Sequence, residues 1–473
     1  MGMKILLINP SWVEIYGSFK HLLKVVSFMP PLGLIYLAAY LEENNHTVKV
    51  IDADAGRHTV DDILNDVKSF KPDLIGVTGT TPVFNSAKTL IQSIAKKFDI
   101  PIIMGGVHLS VMPEDTMEKI PEIKVGVIGE GEETLLEIVR MYSKKKKNLN
   151  SIKGIVYREK GKIKRTPVRP AMDLNKLPMP DRELLDLDYY LFSVPGKGFE
   201  RTTLLATSRG CPYSCTFCSS KTIWGQCVRL RDVENVLDEI DHVVNKLNIK
   251  YINFSDDTFT LNRNRIIEIC EGIKKRNLDF KWEAMSRANL LDEELLKLMK
   301  ETGLTRLSIG IESGDPEILK RMKKGIELDD IRKVYKLVNK LKIETRGSLM
   351  IGHPYETKKS VWNTFKFIRK LKGLLQVYIN IATPFPGTEM YEMALKGIGG
   401  TKLLTKDFSQ FRRYGNAVME VNDLSRDDLI RLQKIGFLYF YLTPRRIVYN
   451  LYRAGFKAAV VNLIAFIRGI LKV

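Results

Sequence analysis

Apolar runs of strand length alternate with amphipathic runs of helix length twice along this chain, and that alternation constrains its fold more than any other feature. Strands are expected at 4–9, 47–52, 74–78, 100–104 and 125–128. Between them lie helical stretches such as PPLGLIYLAAYLEENN, whose Leu34, Leu37 and Leu41 recur at helical spacing. Such alternation specifies an α/β fold with a parallel sheet covered by helices. Small and turn-forming residues crowd the strand C-terminal ends (NPSW, DADAG, TGTTP, GGVH, GEGE), the edge where open α/β sheets bind ligands.

The alternation resumes with strands expected at 204–207, 251–254, 281–285, 307–310, 347–351 and 377–381. Six β/α units are two short of a closed eight-stranded barrel, so a partial barrel is expected. A short hairpin-like piece and closely spaced prolines separate the two halves. The chain of 473 residues is too long for one core. The expected organisation is a Rossmann-like doubly wound sheet over 1–145, a connector over 146–200, a partial TIM-type (β/α)6 barrel over 201–390, and a helical C-terminal extension over 391–473.

Three of the five cysteines fall in SRGCPYSCTFCSS, as Cys211, Cys215 and Cys218. Five cysteines so distributed are no disulfide framework and suit a reducing compartment. No secretory signal precedes the first strand, and Leu6 stands where a myristoylation site needs Ser or Thr. Thiolates bind zinc or iron–sulfur clusters, and structural zinc takes four ligands. A remote Cys227, Cys270 or histidine could complete a zinc site. Three cysteines at the end of the first barrel strand suit a 4Fe–4S cluster better, with one iron left open. Cys270 reads as a small buried residue, and Cys227 has no evident partner.

The loop closely resembles that of radical S-adenosylmethionine (SAM) enzymes. The resemblance implies that the open iron chelates SAM and that electron transfer yields a 5′-deoxyadenosyl radical. It also implies that Phe217, just before the third cysteine, lies near the adenine. Later motifs follow in strand order: FSDDTF with Asp256 and Asp257 toward the SAM amino group, MSRANL with Arg287 toward its carboxylate, and LSIGIESGD with Glu312 as a polar SAM contact. MIGHPYET and TPFPGT end strands five and six at the same mouth. Taken singly, Asp256 or Glu312 could equally be a capping or salt-bridged carboxylate.

The domain order resembles the cobalamin-binding radical SAM enzymes over residues 1–420, and within them the branch with the anaerobic Mg-protoporphyrin monomethyl ester cyclase and lipid- or hopanoid-modifying members. That implies a cobalamin tail along the strand ends, with Gly105, Gly106 and Gly129 allowing backbone approach, and Thr78, Gly79, Thr80 and Glu130 beside it. The D-x-H-x-x-G motif that supplies an axial histidine is absent, and the loop after strand one reads NPSW. His108 is the other histidine to consider, against a plain turn histidine. The branch implies C-methylation of a hydrophobic lipid or tetrapyrrole-like substrate at an unactivated carbon. Cyclisation, C–C coupling or rearrangement without methyl transfer is the alternative, and RNA modification a weaker one.

The net charge of +19 suits an anionic partner or is a lysine-rich surface. From Arg431 onward the chain has basic but no acidic residues, interleaved with aromatic and aliphatic runs too short to span a bilayer. Peripheral membrane association through this tail competes with packing over the barrel, and nucleic acid is disfavoured. The expected setting is anaerobic and cytoplasmic, extending to the inner face of the cell membrane, with a flavodoxin- or ferredoxin-type electron donor.

Overall fold

The structure is a computed structural model, and it describes residues 2–12, 29–144, 148–194 and 198–454. It divides into two compact units, the first built mainly from residues 29–191 with the N-terminal strand and Thr222–Gly225, and the second mainly from the rest of the chain after 191.

The first unit is an α/β layer structure. Its strands β1 (Lys4–Asn9), β2 (Thr47–Asp52), β3 (Leu74–Thr78), β4 (Ile102–Gly105) and β5 (Ile123–Val127) run parallel. A hairpin, β6 (Ile155–Glu159) and β7 (Lys162–Arg165), continues the sheet antiparallel to β5. The order is β2-β1-β3-β4-β5-β6-β7, so the winding direction reverses between β1 and β3. Helices α1 (Leu32–Glu42), α2 (Val60–Phe70), α3 (Phe84–Lys97), α4 (Val107–Val111), α5 (Pro113–Lys119) and α6 (Glu132–Ser143) connect the strands. The strands are apolar runs because a parallel sheet is covered on both faces, and Ile5, Leu6, Leu7 and Ile8 are all buried. A core cluster joins Ile5, Leu7, Leu34, Ile35 and Leu41 to Val125 and Ile138. The GGVH turn expected from the sequence proceeds directly into the short helix α4.

In the second unit the order is β16-β15-β14-β13-β12-β9-β8. Here β8 is Leu191–Val194, β9 Gly198–Leu205, β12 Tyr251–Phe254, β13 Lys281–Ser286, β14 Leu304–Glu312, β15 Glu344–Ile351 and β16 Gln376–Ile381. From β9 to β16 each parallel strand lies beside the next in sequence. Same-handed crossovers then put the helices on one face, and the sheet curls into a half-barrel. A two-stranded ribbon, β10 (Ser208–Arg209) with β11 (Arg229–Leu230), flanks α7 (Ser220–Trp224). The covering helices are α8 (Val233–Asp241), α9 (Arg263–Lys275), α10 (Glu293–Glu301), α11 (Pro316–Arg321), α12 (Leu328–Lys340), α13 (Lys358–Lys370) and α14 (Glu389–Lys396). A last hairpin, β17 (Thr401–Leu403) and β18 (Met419–Val421), precedes α15 (Arg426–Tyr441) and α16 (Pro444–Ala454). The first barrel strand ends at Leu205 rather than Thr207, because the Thr207 N–H leaves the ladder for the Asp256 carboxylate, 3.0 Å away.

One sheet face is polar. Asn253, Glu283 and Arg306 stand side by side in register, with Glu344 next to Arg306. Arg306 bridges Glu283 at 3.0 Å and Glu344 at 3.2 Å, while Asn253 and Tyr251 donate to Glu283. Removing the cation leaves a buried carboxylate with no charge opposite it. Arg306→Met is therefore expected to cost about 3–5 kcal/mol, read from the denaturant midpoint. A loss below about 1 kcal/mol would contradict this role.

Candidate functional site

The cysteine loop runs from the end of β9 to the start of α7, and two adjacent aspartates after β12 hold both its ends. Asp256 is fully enclosed. One oxygen accepts from the Thr207 hydroxyl at 2.7 Å and from Ser208, the other from the Thr207 N–H. Arg265 donates to the Thr207 hydroxyl and carbonyl at 3.0 and 3.1 Å. Burial pushes the Asp256 carboxyl upward, against the hydrogen bonds from Ser208 and Thr207. Asp257 accepts from the Ser220 hydroxyl at 2.7 Å and from the Gly210 backbone. Gly210 has φ +99°, and a side chain there would meet the Cys227 carbonyl oxygen at 2.4 Å. Cys227 thus touches the loop through its backbone, and its own residue is exposed.

Between these ends sit the three thiols, Cys211 and Cys215 half-buried and Cys218 exposed. Cys211 Sγ lies 3.6 Å from Thr258 Oγ1. Cys218 Sγ accepts from the Ser220 N–H at 3.5 Å. Among the described residues no group of three or more His, Cys, Asp or Glu side chains is placed to hold a single metal ion. The donor set fits an iron–sulfur cluster: three soft ligands on one braced loop. Cys270 is buried and accepts from Thr302, as a structural thiol does.

Arg287 supplies the charge. Its guanidinium is buried, 3.5 Å above the Tyr213 ring, with Nη1 3.9 Å from Cys215 Sγ and Nη2 donating to the Lys324 carbonyl. Its Nε is buried with no partner among the described residues, which suits an anionic ligand. Glu312 pairs with Lys324 at 3.0 Å, both buried. It sits at φ +61°, where the β14–β15 register slips, an unusual conformation for a non-glycine residue. Gly310 makes room for this pair, since a side chain there would meet Glu312 Oε1 at 2.4 Å and Lys324 Nζ at 2.5 Å. Phe217 packs against a buried cluster that includes Ala382, Met390 and Val421. Sequence reasoning missed Lys324, Tyr213, Thr216 and His353. SRGCPYSCTFCSS held Tyr213 and Thr216 and MIGHPYET held His353, each pointing to a segment without singling out these side chains.

That segment ends β15 in a turn. Buried Glu356 accepts from the Gly352 and His353 N–H groups at 2.6 and 3.2 Å, and its second oxygen has no partner among the described residues. Burial raises this carboxyl to about 8. Fully buried His353 is lowered to about 4 by desolvation and stays neutral.

In the first unit the candidate ligand edge follows β3, β4 and β5. The Gly79 N–H donates to the Gly105 carbonyl at 3.2 Å, and the Gly79 carbonyl accepts from the His108 N–H at 3.1 Å. Gly106 has φ +93°, and a side chain would meet Thr78 Oγ1 at 2.7 Å and the Gly79 backbone at 2.8 Å. Ser110 joins the next turn by accepting from the Gly129 N–H at 3.0 Å. A side chain at Gly129 would meet nothing, so space is open there, with half-buried Glu130 beside it. The Thr80 hydroxyl is buried without a partner among the described residues, next to the strand-order reversal where such sheets bind ligands. An unsatisfied hydroxyl, close-packed glycines and open space fit the tail of a large ligand such as cobalamin. His108 is fully buried, its ring 4.4 Å from Phe84 and Nδ1 3.1 Å from Thr81 Oγ1, and burial lowers it to about 4. In the NPSW loop, Ser11 and the Trp12 N–H both donate to Asp54 at 2.6 Å, tying the turn to the one after β2.

Comparison with known proteins adds two family matches: the Radical SAM superfamily over residues 205–368 and the B12 binding domain over residues 21–139. An uncharacterized methyltransferase of Pyrococcus horikoshii, PH0819, is 37% identical over 453 residues, covering 95% of each chain. The anaerobic magnesium-protoporphyrin IX monomethyl ester cyclase of Rubrivivax gelatinosus is 27% identical, covering 94% of this chain and 79% of the cyclase. Among solved structures, the radical SAM methyltransferase TsrM from Kitasatospora setae, with cobalamin and a 4Fe–4S cluster bound, shares the fold. Its TM-score is 0.74 at 18% identity, over 100% of this chain and 99% of TsrM.

The Glu356 turn carries a pH signature. Above the ordinary value of 4.5 the unfolded chain ionises this group, while the folded chain keeps it protonated up to about 8. Its contribution to stability therefore falls as pH rises across that window, by up to ~1.4 kcal/mol per unit. Glu356→Gln is expected to remove this part of the slope, so that thermal melts gain on the wild type between acidic pH and pH ~8. Parallel wild-type and variant profiles would contradict it.

Proposed function

The chain belongs to the cobalamin-binding radical SAM enzymes, and on that premise we propose that it C-methylates an unactivated carbon of a hydrophobic, lipid or tetrapyrrole-like substrate. It is an enzyme whose cofactors are a 4Fe–4S cluster, SAM and cobalamin. When bound, the cluster supplies the electron that cleaves SAM, and the corrinoid supplies a methyl group. The observation that carries the reading is the three-thiol loop beside a buried guanidinium with an unsatisfied Nε.

Cys211, Cys215 and Cys218 would hold the cluster. Arg287 would take the SAM carboxylate, with Nε directed to one oxygen. Asp257, on the loop's accessible side, and the Glu312–Lys324 pair would face the rest of the amino acid and the ribose. Asp256 has both oxygens engaged inside the protein, so its part is to fix the loop. Phe217 would line the adenine side. Thr78, Gly79, Thr80, Gly105, Gly106, Gly129 and Glu130 would receive the corrinoid tail along a Rossmann-like edge, and the half-barrel is of TIM type. His108, enclosed and neutral, would brace that edge, while the NPSW loop offers no histidine to the corrinoid.

Similarity to the cyclase supports a second reading, ring formation without methyl transfer. A hydrophobic substrate also gives a use to the end of the described chain, where Leu442 just after α15 and Ile447 and Val448 on α16 are exposed, with Arg445 nearby in sequence. This mixture suits shallow contact with an anionic membrane face. Arg446 is instead buried, stacked 3.7 Å from the Phe440 ring and donating to the Ile368 and Leu371 carbonyls at 3.3 Å, so part of the basic extension packs against α13. Residues 455–473 of the extension lie outside the described residues. Among the described residues no helix is long and apolar enough to cross a membrane.

The test is anaerobic reconstitution with iron, sulfide and hydroxocobalamin, desalting, and incubation with trideuteromethyl-SAM, a flavodoxin reductant and membrane lipid extract. Retained corrinoid absorption and a trideuteromethyl label in a lipid are expected. A cluster that cleaves SAM with no corrinoid retained, and products of unchanged methyl content, would replace methylation by cyclisation or coupling.

A further inference from the structure

We propose that Thr216 and His353 form a positioning latch that fixes the cysteine loop in a single arrangement through one hydrogen bond, Thr216 Oγ1 to His353 Nε2. Thr216 lies between Cys215 and Phe217 and is almost fully buried. Its N–H donates to the Met322 carbonyl at 3.1 Å, just beyond α11, and its carbonyl accepts from the Met390 N–H at 2.8 Å, in the first turn of α14. Its hydroxyl lies 2.8 Å from His353 Nε2. The residue is therefore held from three separate elements, one step in sequence from a cluster thiol and one step from the aromatic residue beside it.

The direction of the hydroxyl bond follows from the other ring nitrogen. His353 Nδ1 is 2.9 Å from the Pro354 carbonyl, which can only accept. Nδ1 therefore carries the proton, Nε2 presents a lone pair, and the Thr216 hydroxyl donates into it. The imidazole cannot drift, because Glu356 fixes the turn it sits on. A hydroxyl donating to a buried, oriented acceptor selects one side-chain rotamer, which the backbone bonds of Thr216 alone do not. Serine keeps the donor, whereas valine keeps the shape and loses it. His353 thus acts through Thr216 and touches no thiol in the contacts described here.

This inference rests on the cluster and SAM of the family and not on methyl transfer. The test compares wild type, Thr216→Val, Thr216→Ser and His353→Phe after anaerobic reconstitution without corrinoid or substrate. The readouts are iron and sulfide content, apo-protein melting, the electron paramagnetic resonance spectrum of the reduced cluster with SAM, and reductive SAM cleavage. Since none of them needs methylation, failure of the methylation reading would leave them unchanged. Thr216→Val is expected to load iron and to melt somewhat below the wild type, because His353 Nε2 is left buried without a donor, while its spectrum broadens and cleavage falls about tenfold. Thr216→Ser should match the wild type, and His353→Phe should behave as Thr216→Val does. If Thr216→Val takes up no iron, His353→Phe decides, because it leaves the loop's own sequence intact. A wild-type spectrum and rate in Thr216→Val, or in His353→Phe when it decides, would overturn the latch. Equal impairment of Thr216→Ser and Thr216→Val would do so too, by showing that shape rather than the hydrogen bond matters.

Discussion

Two carboxylates side by side at the end of one strand carry the loop on which everything else depends. Asp256 takes up the donors of Thr207 and Ser208 where the loop leaves β9, and Asp257 joins Gly210 to Ser220 across the thiols. A loop with three cysteines would otherwise be an open, mobile segment. Anchored at both ends on one neighbouring strand, it presents three sulfurs from a short span of backbone. The expense of burying Asp256 is met by three hydrogen-bond donors and by Arg265 behind them.

The sheet architecture explains why such loops gather where they do. In the second unit every parallel strand neighbours its successor, so all C-terminal strand ends of the half-barrel open on one rim. Arg287, Glu312 and the His353 turn therefore reach the rim from β13, β14 and β15, although they are far apart in sequence. In the first unit the strand order reverses, and the reversal sets Thr80, unsatisfied among the described residues, beside the close-packed glycines. The lower part of the second sheet is closed by the Glu283–Arg306–Glu344 set, which makes the rim the chemically open end.

Much of this was legible in the sequence because its signals are local. Strand periodicity located β1, β2, β3 and β12 as the structure has them, since buried parallel strands are short apolar runs between turns. The cysteine spacing carried its own chemistry. Less legible was which polar residue faces inward. Asp256 and Asp257 are adjacent and look equivalent in the sequence, yet the turn after β12 encloses one and leaves the other accessible. Thr216 gives no signal of its own, because its importance comes from Met322, Met390 and His353, each more than a hundred positions away. Arg446 reads as one more surface cation, but its position places it over the end of α13. Such pairings depend on tertiary geometry, which no periodicity reports.

The central claim is that Cys211, Cys215 and Cys218 hold a four-iron cluster with one iron left for SAM. Mössbauer spectroscopy of protein reconstituted with isotopically enriched iron, before and after SAM is added, tests it most directly. The account predicts one iron site distinct from the other three, shifting on SAM binding toward a higher coordination number. Four equivalent irons that ignore SAM, or no four-iron signal in the wild-type chain, would contradict it.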